Sequence, residues 1–152
     1  MNKGFTLVEL LVTTLIFSFM LMCFYSVLNV GRTHYFIDIG LIDLQEQERN
    51  ALDRIVREVR ASSATTITTI SSTSDRISFN IPGSTGIQYF LSGAQLIRQD
   101  PNGLQRIIAY NITRLKFTAT GTLLQIQLQA DQTVLSKALS VAMTEEVRLR
   151  NE

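Results

Sequence analysis

Phe5-Thr6-Leu7-Val8-Glu9-Leu10-Leu11-Val12 opens a stretch in which no Asp, Glu, Lys or Arg occurs from Leu10 to Gly31. As an α-helix those residues extend roughly 33 Å, enough to cross the hydrocarbon core of a bilayer. Glu9 stands at the mouth of this run, about one turn in if the helix starts near Phe5. A carboxylate in hydrocarbon costs at least a few kcal/mol, so such a residue normally has a partner and a task. The plain alternative is that Glu9 rests at headgroup level, and on these residues alone both readings stay open.

An apolar run of this kind is a secretory signal peptide, a plain anchor, or a helix that both anchors and assembles. A signal peptide has a basic start, a short apolar core and a small-residue cleavage site beyond it. Here Lys3 is the sole basic residue before the run, the run is long, and no Ala-x-Ala pattern follows. From Arg32 onward the chain continues as plausible helix. Removal of the whole segment is therefore disfavoured.

The string Lys3-Gly4-Phe5-Thr6-Leu7-Val8-Glu9 resembles the processing site of type IV prepilins and the related pseudopilins. The resemblance implies a short leader, Met1 to Gly4, that stays cytoplasmic. It implies cleavage after Gly4 by a membrane-bound prepilin peptidase and methylation of the new amino terminus at Phe5. Glu9 is then the fifth residue of the mature chain. In the family this carboxylate pairs with the methylated amine of a neighbouring subunit, so that neither charge is alone in an apolar filament core. A misplaced subunit leaves both unpaired, which makes the pair a register device. Physical chemistry fits the residue types: Gly4 leaves the backbone open to a protease. Loss of Lys3 from the fourteen Lys plus Arg brings them level with the thirteen Asp plus Glu. A balanced surface suits a packed assembly better than a steering field.

Beyond the apolar run the pattern changes. Ile37, Leu41, Leu44, Ala51, Ile55 and Val59 recur at helical spacing, and Leu52 and Val56 widen the stripe. Between them lie Asp43, Gln45, Glu46, Gln47, Glu48, Arg49, Asn50, Asp53, Arg54, Arg57 and Glu58, which predicts an amphipathic helix with these polar residues on its wet side. Asp53 with Arg57, and Arg54 with Glu58, are expected i,i+4 pairs. Gly31 and Gly40 each weaken a helix by roughly 1 kcal/mol relative to Ala and are read as tolerated flexibility.

Residues 61–75 are rich in Ser and Thr, which stops the helix; Ile67 and Ile70 are candidates to anchor a short strand or connector. The period then switches to two. Ile77, Phe79 and Ile81 alternate up to Pro82-Gly83; Ile87, Tyr89 and Leu91 alternate up to Ser92-Gly93, with Leu96 and Arg98 beyond. These read as hairpin strands. Asp100-Pro101-Asn102-Gly103 is a turn, and Leu104 to Ala109 is ambiguous. Leu115, Phe117 and Ala119 lead to a Thr120-Gly121 turn, then Leu124, Ile126 and Leu128 alternate with Gln125, Gln127 and Gln129. Ala130-Asp131-Gln132 is expected to turn again, and Thr133 to Arg150 to give one or two strands. The fold class is α+β: a pilin-like long N-terminal helix, transmembrane in one half and amphipathic in the other, packed on an antiparallel sheet of six or seven strands. The expected organisation is a leader at 1–4, a membrane and filament-core helix at 5–30, its amphipathic continuation at 31–60, and a β-rich domain at 61–152.

Little in the sequence points to chemistry. His34 is the single histidine and sits beside Arg32 and Tyr35, an interfacial setting; Cys23 is the single cysteine and lies inside the apolar run. No metal-ligand spacing, phosphate loop or activated nucleophile stands out. A formal charge of +1 gives no nucleic-acid footprint. Major pseudopilins hold calcium in a C-terminal loop, but Asp131 here lacks a matching carboxylate set. The expectation is therefore not an enzyme, with no cofactor and no metal.

Three stretches resemble the J-type minor pseudopilins and the broader W-type minor pilins: Leu52 to Ala61, the hairpin Ile87-Gln88-Tyr89-Phe90-Leu91 to Leu96-Ile97-Arg98, and Val147-Arg148-Leu149-Arg150-Asn151. The resemblance implies a structural minor pseudopilin that helps start or cap the periplasmic pseudopilus of a type II secretion system. The alternative is a minor pilin of a type IV pilus or DNA-uptake machine. Implied partners are other major and minor pseudopilins or pilins, the prepilin peptidase, the inner-membrane assembly platform and the lipid bilayer, with no direct nucleic-acid contact. The implied location is the bacterial inner membrane, single-pass, with a cytoplasmic N-terminus and a periplasmic or otherwise extracytoplasmic β-rich domain.

Overall fold

The structure is a computed structural model that describes residues 6–62 and 64–149. It comprises one helix and eight strands: α1 (Leu7–Arg60), β1 (Ala64–Thr69), β2 (Asp75–Ile81), β3 (Ser84–Ser92), β4 (Gln95–Gln99), β5 (Gln105–Tyr110), β6 (Ile112–Thr120), β7 (Leu123–Val134) and β8 (Lys137–Arg148). Compact units divide between Asp38 and Ile39. In the first, the described residues are helical from Leu7, and the apolar window that could cross a membrane is 0% buried. Leu11, Leu15, Phe19, Met22 and Val27 are all exposed. A surface this apolar must be covered by lipid or by other helices. Thr13, Thr14 and Ser18 donate their hydroxyls to carbonyls three or four residues back at 2.8–3.0 Å, so the run carries no free hydroxyl there.

In the second unit the strands form two antiparallel sheets, a five-stranded one in the order β1-β2-β3-β4-β5 and a three-stranded one in the order β6-β7-β8. Two sheets and eight strands replace the single sheet of six or seven expected from periodicity. The Ser/Thr-rich stretch supplies one extra strand, β1, paired with β2 from Ala64↔Asn80 to Thr69↔Asp75. The ambiguous stretch after Gly103 supplies another, β5. The sheets meet where β2 begins. Asp75, 2% exposed, accepts the Phe117 N–H at 3.0 Å and pairs with Lys116 Nζ at 2.8 Å, and Leu115 N–H donates to the Thr73 carbonyl at 2.9 Å.

Alternation is what makes these strands: Ile77, Phe79, Ile87, Tyr89 and Leu96 in one sheet, and Leu115, Phe117, Leu124, Ile126 and Leu128 in the other, are all buried. Leu44, Ala51, Leu52, Ile55, Val56 and Val59 bury the matching helix face. Each large side chain so buried contributes about 1.5–3 kcal/mol. Phe79 and Tyr89 stack with ring centres 6.0 Å apart. The helix ends where Ser62 returns its hydroxyl to the Val59 carbonyl at 2.6 Å.

Four sequence-based expectations are corrected. Ala130-Asp131-Gln132 does not turn: β7 continues to Val134, paired without a break through Asp131↔Ser140 to Val134↔Lys137. Ala130 is wholly buried, and Asp131 is fixed by the Thr113 hydroxyl at 2.6 Å. The turn falls instead at Leu135 and Ser136, at φ of 48° and 65°. Glu48 is not on the wet side but is 0% exposed. Arg57 turns its Nε to the Asp53 backbone carbonyl at 3.2 Å, not to the carboxylate, whereas Arg54 does meet Glu58 at 3.6 Å. Gly40 is not mere flexibility: a Cβ there would lie 2.8 Å from Val134 Cγ2, so the absent side chain lets the helix approach the β7–β8 hairpin. Among the described residues Gly31 has no such neighbour.

Candidate functional site

The helix starts with Thr6 as its N-cap and Leu7 as its first residue. Glu9 is then the third helical position, the spacing at which a capping box closes. Both halves are present. The Glu9 N–H donates to Thr6 Oγ1 at 3.2 Å, and Glu9 Oε2 accepts from the Thr6 N–H at 3.1 Å. The Thr6 hydroxyl also reaches Oε2 at 3.1 Å. Two backbone donors that a helix start leaves bare are thereby satisfied. The carboxylate also lies at the positive end of the helix dipole. Glu9 is thus held in one orientation, with its charge exposed at the edge of an apolar surface. Such an arrangement can receive a cation from outside the chain.

A family model described as the prokaryotic N-terminal methylation motif matches residues 1–22. The chain carries this methylation motif on a pilin-like fold. No curated protein and no solved structure matches the chain significantly. The motif spans Met1 to Gly4, Glu9 and most of the uncharged run, and together with one helix long and apolar enough to cross a membrane it supports a single-pass membrane topology. Fold and motif together support a structural role of the pilin or pseudopilin type. Among the described residues no group of three or more His, Cys, Asp or Glu could hold a metal ion.

Of the residues singled out around the methylation motif, Gly4 and Phe5 lie outside the described residues. Glu9 is described, in the capping box. His34 and Cys23 are exposed on the helix, with no partner among the described residues.

Two polar clusters in the β-rich unit escaped the sequence reading. Arg98, 8% exposed, donates its Nε to both Glu58 oxygens at 2.9 and 3.0 Å and its Nη1 to Asp100, tying the helix end to β4. Burial works against its charge, but the Glu58 and Asp100 contacts outweigh this and raise the Arg98 pKa. The Tyr89 hydroxyl, buried beside this group, is pushed up by burial first and by the Glu58 charge second. The second cluster centres on Glu48. Helical spacing could have flagged it, since it stands four residues after Leu44 and three before Ala51, on the apolar stripe itself.

Proposed function

We propose that this chain is a minor pseudopilin of a type II secretion system that helps initiate or cap the periplasmic pseudopilus. The observation that carries the reading is Glu9, locked at the third helical position of an exposed apolar helix inside a methylation motif. In this reading a prepilin peptidase removes Met1 to Gly4 and methylates Phe5. The helix holds the chain in the inner membrane with its N-terminus cytoplasmic and the β-rich unit periplasmic. The inner-membrane platform then delivers the subunit to other pseudopilins, whose terminal amine meets Glu9. The bond-making is electrostatic: one charge from each subunit is withdrawn from lipid together, so correct stacking is favoured over a misfit that strands both. The apolar surface from Leu10 to Val30 passes from lipid to neighbouring helices, which is a change of packing more than of solvent. The J-type likeness of the helix end, the β3–β4 hairpin and the terminus favours a tip position.

Co-purification from cells tests this. Tagged parent chain should bring down other minor subunits of the secretion system, and the Glu9→Ala variant should lose them while still inserting in the membrane. Equal recovery with both chains, or recovery of pilus subunits only, counts against the proposal.

A further inference from the structure

Glu48 is a carboxylate in a place built for an apolar side chain. It is 0% exposed, and its stripe neighbours Leu44, Ala51 and Leu52 are 1%, 1% and 5% exposed. Neither of its oxygens closes a hydrogen bond of normal geometry among the described residues, and the Ala130 backbone N–H only approaches it. The strand beneath it is β7. Gly40 meets Val134 on that strand, and the backbone N–H of Ala130 is the group that partly stabilises the Glu48 charge. From Gly40 to Glu48 the helix rises about 12 Å, and from Val134 to Ala130 the strand covers about 13 Å. Helix and strand therefore run in register over this stretch. Further along, Arg49, Leu52 and Asp53 share a groove with Met143, Thr144 and Glu145 of β8.

The charged groups on the surrounding elements do not rescue this carboxylate. Arg114 on β6, Lys137 on β8 and Arg49 on the helix form no ion pair with it among the described residues, and Glu145 and Asp53 carry charge of its own sign. Asp131 on β7 acts on it with a charge of the same sign. Asp131 is itself kept ionised, its pKa lowered by the Ser140 and Thr113 hydroxyls and by Gln129. A proton on Glu48 removes the conflict, and loss of that proton leaves an unpaired charge inside the joint.

We propose that Glu48 is a proton-operated latch: protonated, it lets the Gly40–Leu52 segment of the helix seat on the β7–β8 hairpin, and ionised, it favours release of that segment. Burial first, and the Asp131 charge in addition, raise its pKa to about 7 against only partial relief from Ala130, so the latch works across the neutral range. The inference stands apart from which machine the chain serves.

Hydrogen exchange on the full chain in detergent micelles, read by mass spectrometry and corrected for intrinsic rates, tests it. Opening of 44–52 and 126–134 should be about tenfold greater at pH 8 than at pH 6, from a Glu48 pKa near 7 when seated and 4.5 when released. Glu48→Gln should remove this difference, and β2 and β3 should show none in either chain. A parent chain with equal corrected opening at both pH values overturns the proposal, as does a Gln variant with an undiminished difference. Carbon-13 titration of the glutamate carboxyls in the parent chain gives an answer that does not depend on the variant. One glutamate titrating near pH 7 supports the latch, and all titrating in the ordinary range overturns it.

Discussion

Removing Arg98 should loosen the helix end from β4 by an amount that a double-mutant cycle can isolate. Its Nε bonds to Glu58 at 2.9 and 3.0 Å, with side-chain exposures of 10% for Arg98 and 20% for Glu58. Unit charges about 4 Å apart attract by about 4 kcal/mol at an effective dielectric of about 20. Two features reduce this. Glu58 keeps a fringe of water, and Arg54 at 3.6 Å and Asp100 remain as competing charges. The expected Glu58–Arg98 coupling is therefore about 2 kcal/mol. Arg98→Met alone should cost about 3 kcal/mol, because Glu58 and Asp100 are left facing each other beside a buried Tyr89 hydroxyl. Urea unfolding of the full chain in micelles gives the four stabilities; the chain has no Trp, so near-ultraviolet dichroism of the stacked Phe79 and Tyr89 is the signal. Coupling should persist in high salt, since a buried pair is little screened. A coupling below about 0.5 kcal/mol, or one abolished by salt, would refute the assignment of this pair as the tie between helix and sheet.

Other outcomes follow from the same geometry. Glu48 binds its proton more tightly in the folded chain, with a pKa of about 7 against 4.5, so stability should fall as pH rises from 4.5 to 7 and level off above. The total fall is about 3 kcal/mol at most, and urea unfolding of Glu48→Gln should lack it. Asp131 contributes in the opposite sense and only at lower pH, where its depressed pKa lies, so the two effects separate in a pH series. Gly40→Leu should destabilise by about 1–3 kcal/mol through overpacking against Val134, and a lowered urea midpoint measures it. Gly4→Leu should block leader removal and leave the longer precursor, which intact-mass analysis reads directly.

Much of this fold is legible in residue order because its strongest signals are local. An uncharged run, an apolar stripe at helical spacing and the alternation of Leu124, Ile126 and Leu128 with glutamines need no tertiary information. Glu9 is legible for the same reason: its position against Thr6 and the run is a matter of sequence spacing. What escaped depends on contacts from afar. Asp131 looks like a turn residue until Thr113 and Ser140 hold it in a strand, and Leu135-Ser136 lacks the Gly or Asn that marks a tight turn. Glu48 looks wet because glutamate is rarely buried; its place on the apolar stripe is the one local hint against that, and the hairpin beneath it completes the burial. The junction between the two sheets involves Asp75 and Lys116, side chains separated by 41 residues that no local pattern connects.

The most direct measurement is the terminal peptide of this chain recovered from assembled filaments. That peptide should begin at N-methylated Phe5, with Glu9 in cross-linking reach of a neighbour's amine. A chain that assembles while still beginning at Met1 would contradict it.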